Sequence, residues 1–231
     1  MLYLIPNLLA PHTHRQVLTS QVYEVVKQIQ NFIVEDIRSA RRFLSSLQVG
    51  IEIDKLSFFE IGKHADFGQL APALTLLKQQ IPVGLLSEAG CPAIADPGAF
   101  VVAWCHENNV KVVPLVGASS ILLALIASGF NGQNFCFHGY LPIDKQERNQ
   151  KIKDLENAIY QNNQTQIFIE TPFRNNDLLK SILQICRPHT KLCLACNLTA
   201  PDELIRTQTI SLWSKNPPDL HKKPCVFLIY K

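Results

Sequence analysis

The run Val83-Gly84-Leu85-Leu86-Ser87-Glu88-Ala89-Gly90-Cys91-Pro92-Ala93-Ile94-Ala95-Asp96-Pro97-Gly98 begins apolar, breaks into small residues and leads into a helical period. The run Val112-Val113-Pro114-Leu115-Val116-Gly117-Ala118-Ser119-Ser120-Ile121 repeats that plan. A loop of Gly, Ala and Ser at the carboxyl end of a strand lets a ligand approach backbone N–H groups, and the helix that follows points its positive end at the same place. Together the two runs read as halves of a nucleotide-shaped pocket suited to an adenosine ligand that carries a carboxylate. No GxGxxG and no GxxxxGK[ST] occurs, so neither a dinucleotide nor a triphosphate is expected.

Outward from these runs, strand and helix periods alternate, as in an α/β protein with a largely parallel sheet. Strands are predicted at Leu2 to Ile5, Phe32 to Val34, Leu56 to Phe59, Val83 to Leu86 and Lys111 to Val113. Val22, Val25, Val26 and Ile29 make one helical stripe, and Leu70, Leu74, Leu76 and Leu77 another. Ala99 to His106 reads as a helix started by Pro97-Gly98, with Asp96 as its N-cap. Further strands are expected near Phe135 to Tyr140, Gln166 to Glu170, Lys191 to Cys196, Leu204 to Thr209 and Cys225 to Tyr230, with long helices over 145–160 and 176–186. The last three strands follow one another without helices, which implies a mixed sheet. Gly129, Asn131, Gly132 and Asn134 mark a boundary. The expected organisation is two α/β domains, 1–128 with a mainly parallel sheet and 129–231 with a mixed one, and a ligand cleft between them.

Composition narrows the function classes. The chain has 231 residues, 47% of them hydrophobic, enough for a sizeable core. Its net charge of +3, from 22 basic and 19 acidic residues, is too small to argue nucleic-acid binding unless the charges cluster. Seven cysteines in a chain of this size fit reduced thiols and a cytoplasmic location. Cys193 and Cys196 form one CxxC with no second half, so no metal site is expected. The amino terminus is broken by Pro6 and lacks a basic region, so it reads as a core strand and not a signal peptide. The uncharged stretch from Pro114 to Phe130 falls short of a membrane span and is interrupted by Gly and Ser, so it reads as a helix buried between two layers.

Four segments then carry a resemblance in order: Val34-Glu35-Asp36-Ile37-Arg38-Ser39-Ala40-Arg41-Arg42, Ser87 to Gly98, Val113 to Gly129, and Phe168-Ile169-Glu170-Thr171-Pro172-Phe173-Arg174. On these the chain resembles the tetrapyrrole methylase superfamily of S-adenosylmethionine-dependent methyltransferases over nearly its whole length. Gly139-Tyr140-Leu141-Pro142 and the helix bearing Lys145, Glu147, Arg148, Lys151 and Lys153 make it most similar to the branch that methylates a cytidine ribose 2′-hydroxyl in small-subunit ribosomal RNA. The branch opens with a Gly-Thr-Pro-Ile-Gly-Asn-Leu type loop that lines the cleft. Here the loop is Ile5-Pro6-Asn7-Leu8-Leu9-Ala10-Pro11-His12-Thr13-His14, with neither glycine, and Glu88 stands where the branch commonly has aspartate.

The resemblance implies S-adenosylmethionine as cofactor, with contacts at Pro6, Gly90, Cys91, Pro92, Ile94, Ser119, Ser120, Ile121, Thr171, Pro172 and Asn197. It also implies a homodimer acting on ribosomal RNA or the small ribosomal subunit. Methyl transfer from a sulfonium needs alignment and, for a hydroxyl acceptor, removal of a proton. Glu35, Asp36 and Glu88, at strand ends on one sheet edge, are the candidate acid–base groups; Glu35 and Asp36 read equally well as caps of the next helix. Arg38, Arg41 and Arg42 share a helical face and, with Arg174, are candidates to grip RNA phosphates, extended by Lys63 and His64. Tyr140 and Phe173 offer stacking surfaces, with core packing or a dimer interface the favoured reading. A catalytically silent binding protein and a methylase of a tetrapyrrole or other small molecule are the competing readings.

Overall fold

The computed structural model describes residues 1–61 and 67–231, the side chain of Phe67 excepted. Lys63 and His64 lie outside the described residues. The chain divides into two compact units, Met1–Ser119 and Ser120–Lys231.

In the first unit β1 (Leu2–Ile5), β2 (Asn31–Val34), β3 (Ser57–Glu60), β4 (Val83–Leu86) and β5 (Val112–Pro114) form a sheet of order β3-β2-β4-β1-β5. Every pairing in it is parallel. Alternate strand residues feed two cores. Ile5, Phe32, Val34 and Leu86 pack with α2 (Ser20–Gln28) and α3 (Ile37–Ser46) on one face. Leu2, Ile33, Val83 and Leu85 pack with α4 (Phe67–Lys78) and α5 (Ala99–Glu107) on the other. A short α1 (His14–Val17) precedes α2. Gly84 sits at the crowded centre, where a Cβ would come within 2.7 Å of Ile5 and 2.9 Å of Phe32.

Parallel strands put all five carboxyl ends on one edge. β1 and β4 are neighbours whose connections run in opposite directions, from β1 across β4 to β2 and from β4 across β1 to β5. Their carboxyl ends share the edge at which open α/β sheets usually bind ligands, in a crevice outside the strand ends.

The second unit opens with α6 (Ser120–Ser128) and continues β6 (Phe135–Tyr140), α7 (Lys145–Asn162), β7 (Thr165–Ile169), α8 (Asn175–Ile185), β8 (Lys191–Cys196), β9 (Leu204–Thr209), α9 (Ile210–Trp213) and β10 (Cys225–Tyr230). Its sheet has the order β6-β7-β10-β8-β9, with β6 and β7 parallel and the other pairs antiparallel. The mixed sheet is therefore present, but α9 interrupts the last three strands, seated by the Trp213 indole N–H donating to Leu192 O at 2.9 Å.

Two expectations about α6 change. The division of the chain falls before this helix, because α6 packs on β8, β9 and β10, and Ser128 O accepts from Thr207 Oγ1 at 2.8 Å. Nor is α6 sandwiched between layers: Ala124 and Leu125 are buried, whereas Ile126 is 75% exposed. Among the described residues no helix is long and apolar enough to cross a membrane. Cys193 and Cys196 point to opposite faces of β8, as residues three apart on a strand must. Cys196 instead faces Cys225 of β10, their sulfurs 2.7 Å apart in the core.

Candidate active site

At the crevice of the first unit the opening loop is pinned to the end of β4. The buried Asn7 side chain donates to Ser87 O at 2.9 Å and Glu88 O at 3.1 Å, and its backbone N–H donates to Gly90 O at 2.8 Å. Asn7 Oδ1 in turn accepts from the N–H of Leu8 at 2.7 Å. Gly117 brings the β5 loop against Pro6 so closely that a Cβ there would overlap the proline ring. The Cys91 thiol donates to Ala118 O at 3.4 Å, tying the two diagnostic loops together, and burial, then Asp96, pushes its pKa up. Pro6, Gly90, Cys91 and Pro92 thus gather on one edge with Gly117 and Ala118. Ile94 stands out from the same loop, 47% exposed.

Three carboxyls meet here. Glu35 accepts from the backbone N–H of Glu88 at 3.1 Å; burial raises its pKa most, the Glu88 N–H opposes this and the Glu88 charge adds to it. Glu88 accepts a long bond from Ser39 Oγ at 3.4 Å. Asp96, expected as the N-cap of α5, is not one: Gly98 holds that position and caps with no side chain. Burial first, then the charges of Glu35 and Glu88, raises the Asp96 pKa from 3.8 to about 7 against a weaker pull from Ser87. Its Oδ2 is shielded from solvent and has no hydrogen-bond partner. Asp96 was visible in the sequence only as helix punctuation, because nothing local shows that the loop folds it back toward Glu35.

The segment between carries backbone strain. Gly90, Ala93 and Ala95 have φ of 69°, 66° and 63°. Alanine in the left-handed region costs about 1 kcal/mol or more, and such residues collect at ligand clamps.

The other first-unit candidates separate. Asp36 caps α3, accepting from Ser39 N at 2.6 Å, and that bond with the Ser39 hydroxyl holds its pKa down. Glu35 does not cap, so the two acids that read alike in sequence have different roles. Arg41 is paired with Asp54 and lies 5.9 Å from the Phe58 ring centre. Arg38 and Arg42 are exposed on the same helix.

The second unit presents its own edge, since β6, β7 and β8 end together. Thr171, Pro172 and Asn197 lie there. Phe130, just past α6, packs on Tyr230 at 5.5 Å, at the opposite edge. Arg174, the second-unit candidate for RNA phosphate, donates to the buried Glu170 at 3.0 and 2.6 Å. Thr171 N donates to the same oxygen at 2.6 Å. Arg148 is also structural, buried against Ser181 Oγ at 3.3 Å and Ile143 O at 3.1 Å. Tyr140 and Phe173 are 56% and 69% exposed, so neither is a core residue of its unit. Among the described residues no His, Cys, Asp and Glu cluster has the arrangement of a metal site.

A parallel α/β unit with a carboxyl-edge crevice, followed by a mixed-sheet unit, is the architecture of the tetrapyrrole methylases. The chain aligns with the methyltransferase CobJ at a TM-score of 0.65 and 15% identity, covering 100% of this chain and 93% of that one. It aligns with uroporphyrin-III C-methyltransferase from Thermus thermophilus complexed with S-adenyl homocysteine at 0.59 and 15%, covering 100% and 97%. No family model matches the sequence. Full-length relatives are more specific: ribosomal RNA small subunit methyltransferase I of Haemophilus influenzae is 31% identical over 99% of this chain and 78% of its own length. The protein of that name in Vibrio cholerae is 27% identical over 100% and 77%. The chain belongs to the ribosomal RNA small subunit methyltransferase I family, and it is a methyltransferase.

Proposed function

We propose that this protein transfers a methyl group from S-adenosylmethionine to a cytidine ribose 2′-hydroxyl of small-subunit ribosomal RNA, acting in the cytoplasm as a homodimer. The observation that carries the reading is similarity to a methyltransferase I protein over 99% of this chain and 78% of that protein's length, joined to a strand-end crevice with an acid cluster.

The donor fits the residues present. The left-handed turns at Gly90, Ala93 and Ala95 are of the kind that build anion-binding concavities from backbone N–H groups. The exposed side chains of Ile94 and Val116 flank them with apolar surface for an adenine face. Pro6, Gly90, Cys91, Pro92 and Ile94 of the first unit, Ser119 at its end, and Ser120, Ile121, Thr171, Pro172 and Asn197 of the second are the proposed contacts. S-adenosylmethionine, when bound, supplies an electrophilic methyl group.

The chain's own task is to align a hydroxyl and take its proton. Asp96 is the proposed acceptor of that proton. With a pKa near 7 it has a substantial ionised fraction at neutral pH and is a far stronger base than an ordinary carboxylate. Glu35 and Glu88 hold the pKa up through their charges, and Glu88 faces the acceptor. Asp36 contributes by starting α3 correctly, which places Arg38 and Arg42 for phosphate. The test is transfer of labelled methyl to purified small ribosomal subunits, followed by mapping of the modified nucleotide. Methylation of a base, or of no nucleotide while S-adenosylhomocysteine still binds, overturns the proposed reaction.

A further inference from the structure

The second unit buries two thiols against each other at the end of a strand pair, a place where any small apolar residue would serve packing alone. Cys196 closes β8 and Cys225 opens β10, directly opposite one another in the antiparallel ladder. Both are free thiols, 1% and 5% exposed, in hydrogen-bond contact. We propose that Cys196 and Cys225 are a modification site for hydroperoxides, which convert the pair reversibly into a disulfide that staples the ends of β8 and β10. The reaction is independent of methyl transfer.

The register lets the bond form without moving a strand. Asn197 N–H donates to Pro224 O at 2.9 Å, and these two residues stand opposite each other one step beyond the cysteines. Hydrogen-bonded and non-hydrogen-bonded pairs alternate along an antiparallel ladder, so Cys196 and Cys225 form a non-hydrogen-bonded pair. Such pairs hold their Cα atoms about 4.5 Å apart with the side chains closest together, within the span a disulfide bridges. Cys196 and Cys225 share one core, whereas Cys193 lies on the other face of β8 and cannot compete. Access comes from the same end. Pro224 has no N–H to return, so the pair beyond the cysteines is closed by one backbone bond instead of two. Opening that bond admits a water-sized peroxide.

The two thiols are unequal. Contact with the Cys225 thiol lowers the Cys196 pKa, burial opposes this and the Lys223 charge adds to the lowering. Burial first, then Cys196, pushes Cys225 up. Cys196 is therefore the attacking thiolate and Cys225 the thiol that resolves it. With hydrogen peroxide, the Cys196 sulfur attacks one oxygen: an S–O bond forms, the O–O bond breaks and hydroxide leaves, taking up the proton that Cys196 had released. The Cys225 sulfur then attacks the sulfenic sulfur, forming S–S and breaking S–O, and its proton leaves with the hydroxyl as water. The thiols lose two electrons and the peroxide ends as two waters. Exchange with small thiols returns the pair to the reduced state, as in redox-sensing disulfides of reducing compartments. Asn197 follows Cys196 directly, and Lys222 N–H donates to Pro172 O at 3.0 Å just before β10. Closing the bond keeps these two residues where the reduced protein places them. Its value to the cofactor rests on the contacts proposed above; the bond itself does not.

The experiment treats the reduced full chain with hydrogen peroxide, blocks the remaining thiols and maps cross-links by mass spectrometry. The expected result is an intramolecular bond between Cys196 and Cys225 in the wild type and in Cys193→Ser, reversed by reduced glutathione. Oxidation should slow amide exchange of Asn197 about tenfold or more and raise the urea midpoint by about 1 M. In Cys225→Ala the sulfenic acid on Cys196 has no resolving thiol and should be captured by dimedone. A bond to Cys193, a bond between molecules, or a pair that stays reduced at peroxide concentrations that oxidise the unfolded chain overturns the proposal. The wild-type map decides this even where Cys225→Ala does not fold. Faster exchange of Asn197 after oxidation overturns the staple. Absence of S-adenosylhomocysteine binding in both reduced and oxidised protein counts against the cofactor contacts and leaves the bond standing.

Discussion

Replacing Asp96 with asparagine separates the electrostatic argument from the chemical one. The carboxyl's pKa rises from 3.8 to about 7 because burial and two neighbouring acids oppose its charge. Three units at about 1.36 kcal/mol each set a ceiling near 4 kcal/mol on the destabilisation at high pH. Partial solvent screening reduces this to about 1–2 kcal/mol. The sign follows from proton counts. Below the unfolded-state value both states hold the proton and Asp96 costs nothing. Between 3.8 and about 7 the folded state binds more protons, so wild-type stability falls as pH rises, and above that window the whole penalty is present. Asp96→Asn, which mimics the neutral acid, should therefore match the wild type near the low end of the window and exceed it by about 1–2 kcal/mol at pH 8. Urea unfolding at three pH values measures this. Methyl transfer should move the opposite way, falling at least about a hundredfold with S-adenosylhomocysteine affinity retained. The wild type's rising limb near pH 7 should vanish in the variant. An equal stability gain at every pH would refute the burial argument, and an undiminished rate would refute Asp96 as the base.

Gly117→Ala should cost about 1–3 kcal/mol by forcing the new Cβ into the Pro6 ring, read as a lower unfolding midpoint with weaker S-adenosylhomocysteine binding. Glu170→Gln should cost about 2 kcal/mol, because Arg174 and Thr171 N–H lose a charged acceptor; an unchanged urea midpoint would contradict it. Arg38→Ala should weaken RNA binding more at low salt than at high salt with cofactor affinity intact. Arg41→Ala should weaken RNA binding less, since that guanidinium is already paired with Asp54; filter binding across a salt series compares the two.

The sequence carried the strands and most helices because burial patterns are local: β4 is apolar throughout, and α2 repeats its valines at helical spacing. What it did not carry are choices made by distant neighbours. Glu35 and Asp36 are adjacent and chemically alike, and only the placement of Ser39 and of Glu88 decides which one caps and which one turns into the crevice. Arg174 reads as a free cation until the β7 end shows Glu170 beneath it. Asp96 reads as a cap because Pro97-Gly98 follows, yet the left-handed turns at Ala93 and Ala95 redirect it. Cys193 and Cys196 read as a pair by spacing, whereas strand geometry gives Cys196 a partner 29 residues away.

The altered opening loop is the feature on which an active and a silent protein would differ, and its physical consequences can be followed bond by bond. Two glycines in a loop keep it thin and let a ligand press against backbone; residues with side chains in their place either fill the space or line it. Here they line it. Leu9 packs toward Gly90, where an added Cβ would come within 3.2 Å of its Cδ2, so the bulk of the loop is spent against the β4 turn. Asn7 is buried, but its amide is fully engaged with carbonyls of that turn and does not project into the crevice as an unmet polar group. The remaining side chains bound a cleft of about 540 Å³ instead of closing it. A loop that had merely lost its function would have no reason to keep His12 in a left-handed conformation or to fix His14 on Ser46. If removing that amide through Asn7→Gly leaves methyl transfer to small subunits unchanged, the hydrogen bonds at the end of β4 do not set the acceptor's position. A rise in KM with S-adenosylhomocysteine affinity retained shows that they do, whereas a parallel loss of that affinity shows that they hold the Gly90 turn for the cofactor instead.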